Sequence, residues 1–120
     1  MGVYQMGVVE SRFAQIIWEN EPIASSALAK RSEEELGWKK STTYTVLKRL
    51  CDKGLFQNDN GTVSSRISKE ELDSVQSEQF VSENFGGSLP AFLSAFTLRK
   101  KLSPEEVAEL RRMVDQYGEE

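Results

Sequence analysis

Apolar residues Val9, Phe13, Ile16 and Ile17 fall at i, i+4, i+7 and i+8. That spacing predicts an amphipathic helix over about residues 8–20. Asn20-Glu21-Pro22 ends it, because a residue before proline avoids the helical region. Ile23 is a short apolar step, suited to a bridge into a small sheet. A second helix is expected around Ser25–Leu36, with Ala27, Leu28 and Leu36 inward and Glu33-Glu34-Glu35 outward. Ser25 or Ser26 is placed to cap it, and Gly37 to stop it. A third helix is expected over Lys40–Asp52, with Val46, Leu47 and Leu50 inward, Thr43 and Cys51 close by, and Gly54 as its end. Leu55–Asn58 and Val63–Ile67 then read as two short strands around Asp59-Asn60-Gly61, since Asn-Gly between extended segments favours a hairpin.

The remainder reads as helix. Leu72, Val75, Phe80, Val81 and Phe85 form a loose helical pattern over Glu70–Phe85, broken by Gly86-Gly87. Ser88 caps a short helix with Pro90 in its first turn, and Leu89, Phe92, Leu93 and Phe96 repeat at i, i+3, i+4 and i+7. Ser103-Pro104-Glu105-Glu106 is a capping box. The helix it opens puts Val107, Leu110, Val114 and Tyr117 on one seam. The fold class expected is mainly α with a small β-hairpin.

The net charge of −4 argues at first against nucleic acid, but the distribution matters more. Residues 1–68 carry +1 and residues 69–120 carry −5. Lys39, Lys40, Lys48, Arg49 and Lys53 stand against Asp52 alone, a local +4. Helix–helix–helix–hairpin is the outline of a winged helix-turn-helix, with Gly37 in the turn. The outer face of the third helix carries Ser41, Thr42, Tyr44, Thr45 and Lys48, with Lys39 and Lys40 at its start. Short hydroxyls and an aromatic suit base edges, and lysines and free backbone N–H groups suit phosphates. Tyr44 reads either as a base reader or as half-buried packing.

The ordered set Trp18…Pro22, Leu36-Gly37-Trp38…Thr42…Thr45…Arg49-Leu50…Lys53-Gly54 resembles the penicillinase-repressor family (BlaI, MecI and the copper-responsive CopY). The likeness runs on through Phe80, Gly86-Gly87-Ser88, Phe92…Phe96 and Leu102-Ser103…Glu109-Leu110-Arg111. It implies a winged-helix DNA-binding domain over 1–68 and a C-terminal helical dimerisation domain over 69–120. It implies a transcriptional repressor that binds a palindromic operator as a homodimer. Ser41, Thr42, Tyr44 and Thr45 match the family's base-reading positions. Arg49 matches a family arginine, assigned either to a phosphate or to an intramolecular carboxylate. Arg66 is the basic residue of the wing. Relatives often carry a basic residue at the place of Tyr44. The wing lacks the usual Gly-Arg and aromatic residues, and Asp59 at its tip repels phosphate. Antibiotic-responsive members are cleaved by a membrane sensor protease at an Asn-Phe bond, where this chain has Ala95-Phe96. The inducer is thus that protease or another signal, and the paired cysteines of copper-responsive members are missing.

Phe80, Phe85, Leu89, Phe92, Leu93 and Phe96, with the seam Val107, Leu110, Val114 and Tyr117, are the expected dimer interface, against the alternatives of internal packing and a ligand pocket. Trp18 and Trp38 read as packing residues, and Cys51 as a small buried apolar residue rather than a redox switch. One cysteine and no histidine leave no metal set and no common acid–base catalyst, and no cofactor is expected. There is no glycine-rich phosphate loop and no nucleophile paired with a base, so an enzyme is not expected. Met1–Met6 show no signal peptide, and Met6 stands where myristoylation wants Ser or Thr. With no apolar run near the roughly 18 residues of a membrane helix, the expected location is the cytoplasm. The competing reading is a winged-helix protein–protein interaction module that does not touch DNA.

Overall fold

In the computed structural model, which describes residues 6–118, Phe13, Ala14, Ile16 and Ile17 turn one face of the first helix into a core. Met1–Gln5, read above as carrying no signal peptide, lie outside the described residues. Helix α1 (Val8–Asn20), strand β1 (Ile23–Ala24), helices α2 (Ser25–Leu36) and α3 (Lys40–Asp52), and strands β2 (Phe56–Asp59) and β3 (Thr62–Ser65) follow in order. Then come α4 (Lys69–Phe85), α5 (Leu89–Thr97) and α6 (Pro104–Tyr117). The chain divides into two compact units, Met1–Gln79 and Phe80–Glu120, with the division inside α4.

In the first unit, Leu28, Leu47, Leu50, Leu55, Phe56, Val63 and Leu72 join the α1 residues in one buried cluster. Trp38 stacks on Phe13 with ring centroids 5.1 Å apart, seating the α2–α3 turn against α1. Trp18 packs on Phe56 at 5.4 Å, and its indole N–H donates to the Ile67 carbonyl at 3.1 Å. Both tryptophans are packing residues, as expected.

The sheet has order β1-β3-β2, all antiparallel. Ile23 pairs with Val63, so the short apolar step is indeed a sheet strand. The hairpin closes on Asp59 opposite Thr62. Its two-residue loop has positive φ at both Asn60 (50°) and Gly61 (90°), the combination a primed hairpin turn needs and Asn-Gly supplies. Strand limits are shifted by one or two residues from those expected, and β3 stops before Arg66 and Ile67.

Three local expectations are corrected. Val9 is 49% exposed rather than inward. Ala27 is exposed, and Ala29 and Ser32 take the inner face of α2 beside Leu28; Ser32 satisfies its hydroxyl on the Leu28 carbonyl at 2.8 Å. Neither Ser25 nor Ser26 caps α2. Ala24 holds that position, and the Ser25 N–H instead donates to the Gly61 carbonyl of the wing turn at 2.8 Å. A tertiary acceptor has replaced the cap.

In the second unit, Ser88 accepts from the Ala91 N–H, and Pro90 stands in the first turn of α5. Ser103 and Glu106 form the reciprocal capping box of α6, with bonds of 2.9 and 3.1 Å. The Ser103 backbone N–H, then its hydroxyl, hold the Glu106 carboxyl below its ordinary pKa. The unfolded carboxyl titrates higher, so the capping contribution is full above the ordinary range and is lost as pH falls through the lowered value. Protection of the amides in the first turn of α6, taken relative to the intrinsic exchange rate at each pH, is therefore expected to fall on acidification. Glu106→Gln is expected to flatten that dependence, and an unchanged profile would refute the assignment.

Candidate nucleic-acid interface

Helix α3 begins with Ser41, Thr42, Thr43 and Thr45, residues of modest helix propensity. Its stability therefore depends on burying one face. Thr43, Val46, Leu47 and Leu50 do so. Thr43 is fully buried, and its hydroxyl has no hydrogen-bond partner among the described residues. The opposite face carries Ser41, Thr42, Thr45, Lys48 and Arg49, at i, i+1, i+4, i+7 and i+8, all exposed.

Exposed Lys39 holds the N-cap position, and no side chain caps the helix. The first-turn N–H groups thus point outward, with the positive end of the helix dipole behind them. Exposed Lys40 stands over the Tyr44 ring, its Nζ 5.9 Å from the centroid. The Thr45 hydroxyl donates to the Ser41 carbonyl at 2.9 Å, which fixes its rotamer and leaves its methyl group and oxygen lone pairs on the outer face. Lys48 is paired with Asp52 at 3.2 Å, both side chains more than two-thirds exposed. Such an exposed i,i+4 pair contributes little.

Three expected residues sit differently. Tyr44 is half-buried on the flank of α3 and lines a shallow cleft of about 320 Å³ with Leu47, Lys48, Cys51 and Asn58. Arg49 Nη1 reaches Glu10 Oε2 on α1 at 3.5 Å, so of its two expected partners the structure holds the carboxylate. Arg66 is exposed just past β3, with its backbone N–H on the Leu55 carbonyl at 2.9 Å.

Sequence reasoning missed the groups that hold the wing. Glu21 accepts from the Ser65 N–H at 2.8 Å and from its hydroxyl at 2.7 Å. Asn58 accepts from the Gly61 N–H at 2.9 Å, and Gln57 bonds Ser64 across the strands at 3.0 Å. No short-range pattern reveals a bond 44 residues apart in the chain. Cys51 is partly exposed rather than buried; burial first, then the Asp52 carboxylate, push its thiol pKa up. A raised pKa leaves little thiolate, which favours an inert thiol.

The second unit presents the other feature. No residue of α5 or α6 is buried. Phe80, Leu89, Val114 and Tyr117 are 50%, 57%, 69% and 71% exposed. Phe96 is exposed too, and Phe85, Phe92, Leu93, Val107 and Leu110 are half-buried. The rings of Phe80, Phe85, Phe92 and Phe96 form a continuous chain, with neighbouring centroids 5.5 to 6.2 Å apart. Beside it lies a cavity of about 530 Å³, floored by Phe92, Leu93, Phe96, Leu102 and Leu110 and rimmed by Glu105, Glu106 and Glu109. Leu98 and Met113 add exposed apolar surface that the sequence pattern missed. Among the described residues no cluster of acidic side chains and cysteine is arranged for a metal, and no helix is long and apolar enough to cross a membrane.

Three helices, a helix-turn-helix arrangement and an antiparallel wing define a winged-helix domain followed by further helices. The chain belongs to the penicillinase repressor family, whose model matches residues 6–116. It is 26% identical to the penicillinase repressor of Bacillus licheniformis over 117 residues, covering 94% of this chain and 91% of that one. It is 22% identical to the methicillin resistance regulatory protein MecI of Staphylococcus aureus over 116 residues, covering 93% and 94%. The MecI protein of Staphylococcus epidermidis matches to the same extent.

Proposed function

We propose that this protein is a sequence-specific DNA-binding transcriptional repressor that acts as a homodimer on a palindromic operator. The observation that carries the reading is the outer face of α3. Ser41, Thr42 and Thr45 lie side by side, exposed, at the open N-terminal half of a helix whose other face is anchored in the core, with Lys48 exposed on the same face one turn further on. In this reading Ser41, Thr42 and Thr45 meet base edges in the major groove. Lys39, Lys40, Lys48 and Arg66 meet phosphates. Tyr44, from its flank position, contacts the edge of the groove. Residues up to 68 do the reading, and residues beyond pair two copies.

Dimerisation is the second half of the proposal. The apolar helices of the second unit do not cover themselves, and an aromatic surface of this extent on a monomer is unusual. A second copy covers it and sets two α3 helices about one DNA turn, or a multiple, apart. Release follows an inducer. That inducer is a membrane sensor protease or another signal, and the Ala95-Phe96 bond, where antibiotic-responsive members have Asn-Phe, lies inside α5.

The test is fluorescence anisotropy of the full chain with DNA from upstream of its own gene, against scrambled DNA, over a salt series. A preference of about a thousandfold or more is expected for a repressor on its operator. No binding to either DNA at any salt would overturn the reading in favour of the protein-interaction module. Within the interface, Thr42→Ala and Thr45→Ala should each cost roughly 1–2 kcal/mol of discrimination between operator and random DNA. Lys40→Ala should weaken both alike. An unchanged specificity ratio in Thr42→Ala would remove Thr42 from the base readers.

A further inference from the structure

We propose that Glu10 is a negative determinant of DNA affinity: it holds Arg49 off the phosphates. The inference rests on the DNA-binding reading above. Arg49 shares the exposed face of α3 with Thr42 and Thr45, at i+7 from the first and i+4 from the second. On that stripe a guanidinium is the group best shaped for a phosphate. Its Nη1 is instead paired with Glu10 Oε2 at 3.5 Å.

Glu10 does not depend on Arg49 for its position. It stands in the first turn of α1, where the helix dipole favours an anion, and its other oxygen accepts from the Gly7 N–H at 3.3 Å. Glu10 is the better buried partner, with its side chain 21% exposed against 53% for Arg49. The carboxylate is therefore a fixed anion built into the scaffold. The guanidinium is the more exposed partner, about half in water. A chain with few cations on its docking face thereby gives up one phosphate contact. That contact is independent of sequence, so withholding it reduces retention on random DNA and leaves the base-reading face untouched.

The proposal makes opposite predictions for the two members of the pair. Glu10→Gln retains a side-chain oxygen for the Gly7 N–H, so α1 keeps its start. It frees Arg49. Binding to a short random-sequence duplex is expected to tighten roughly three- to tenfold at low salt. The slope of log affinity against log salt should steepen by about 0.9, one further phosphate neutralised. Arg49→Gln alone is expected to leave binding near wild type, because the arginine is not on a phosphate. The double variant should lose the gain of Glu10→Gln. Glu19→Gln, an exposed carboxylate elsewhere on α1, controls for net charge.

The measurement is anisotropy of the full 120-residue chain and these four variants with that duplex across a salt series. The proposal fails if Glu10→Gln behaves like Glu19→Gln, or if its gain persists without Arg49. It also fails if Arg49→Gln weakens binding as Lys40→Ala does, for then the arginine already sits on a phosphate. A wild-type protein that binds no duplex would overturn the DNA-binding reading itself, a distinct result.

Discussion

Phe92→Asp is expected to leave the protein monomeric at micromolar concentration and to weaken operator binding by about 10²–10⁴-fold, the share that a second linked half-site contributes. Phe92 is the hub of the aromatic chain, 6.1, 5.5 and 6.2 Å from the rings of Phe80, Phe85 and Phe96. It also floors the cavity beside Leu110. In a monomer the new carboxylate stays hydrated on a half-buried surface. In a dimer it loses its water without a cation in place, a penalty of several kcal/mol per ion. Sedimentation equilibrium reads the mass, and anisotropy reads the affinity. Both tryptophans lie in the first unit, so their fluorescence reports whether that unit stays folded. Leu110→Asp, at another lining residue of the same cavity, should act alike. If both variants remained dimeric, the subunit interface would have to lie elsewhere.

Phe13→Ala is expected to destabilise the first unit by about 3–5 kcal/mol, the usual cost of truncating a buried phenylalanine. Phe13 is fully buried and stacks on Trp38, so its removal loses both area and a ring contact that positions the turn before α3. Whole domains have about 5–15 kcal/mol to lose. The variant should therefore unfold at much lower denaturant, with Trp38 fluorescence shifting toward that of exposed indole. Val9→Ala is the control. It lies on the same seam of the helical pattern, yet it is half exposed and should stay within about 0.5 kcal/mol of wild type. Equal losses at the two positions would contradict the packing described here.

The contrast between Val9 and Phe13 marks the reach of sequence reasoning. Periodicity puts both on one face, but α1 starts at Val8, and Val9 in its first turn stands at the edge of the core, half exposed. Ala27 and Ala29 show the same limit on α2, because two alanines carry too little apolar contrast to orient a helix. Elements whose ends are written in local chemistry were legible. Lys40–Asp52, Ser25–Leu36 and the Ser103 capping box lie where expected, and Asn60-Gly61 makes the turn its residues favour.

The candidate interface divides in the same way. Spacing on α3 alone placed Ser41, Thr42, Thr45 and Lys48 together on one outward face, since a helix repeats within its own few residues. Long-range partners were not legible. Arg49 had two candidate counter-charges by sequence, and only the approach of α1 to α3 brings Glu10 to it. The Glu21–Ser65 anchor of the wing and the replacement of a serine cap by the Gly61 carbonyl also required the chain to fold back on itself.

What the sequence determined by itself was therefore the list of elements, the caps of α5 and α6, the wing turn, and the polar face of α3. Each of these follows from interactions between residues a few positions apart. The tertiary structure decided which apolar residues enter the core, which side of Tyr44 is covered and which anion holds Arg49. Those outcomes depend on surfaces distant in the chain, whose contact energies no local pattern contains.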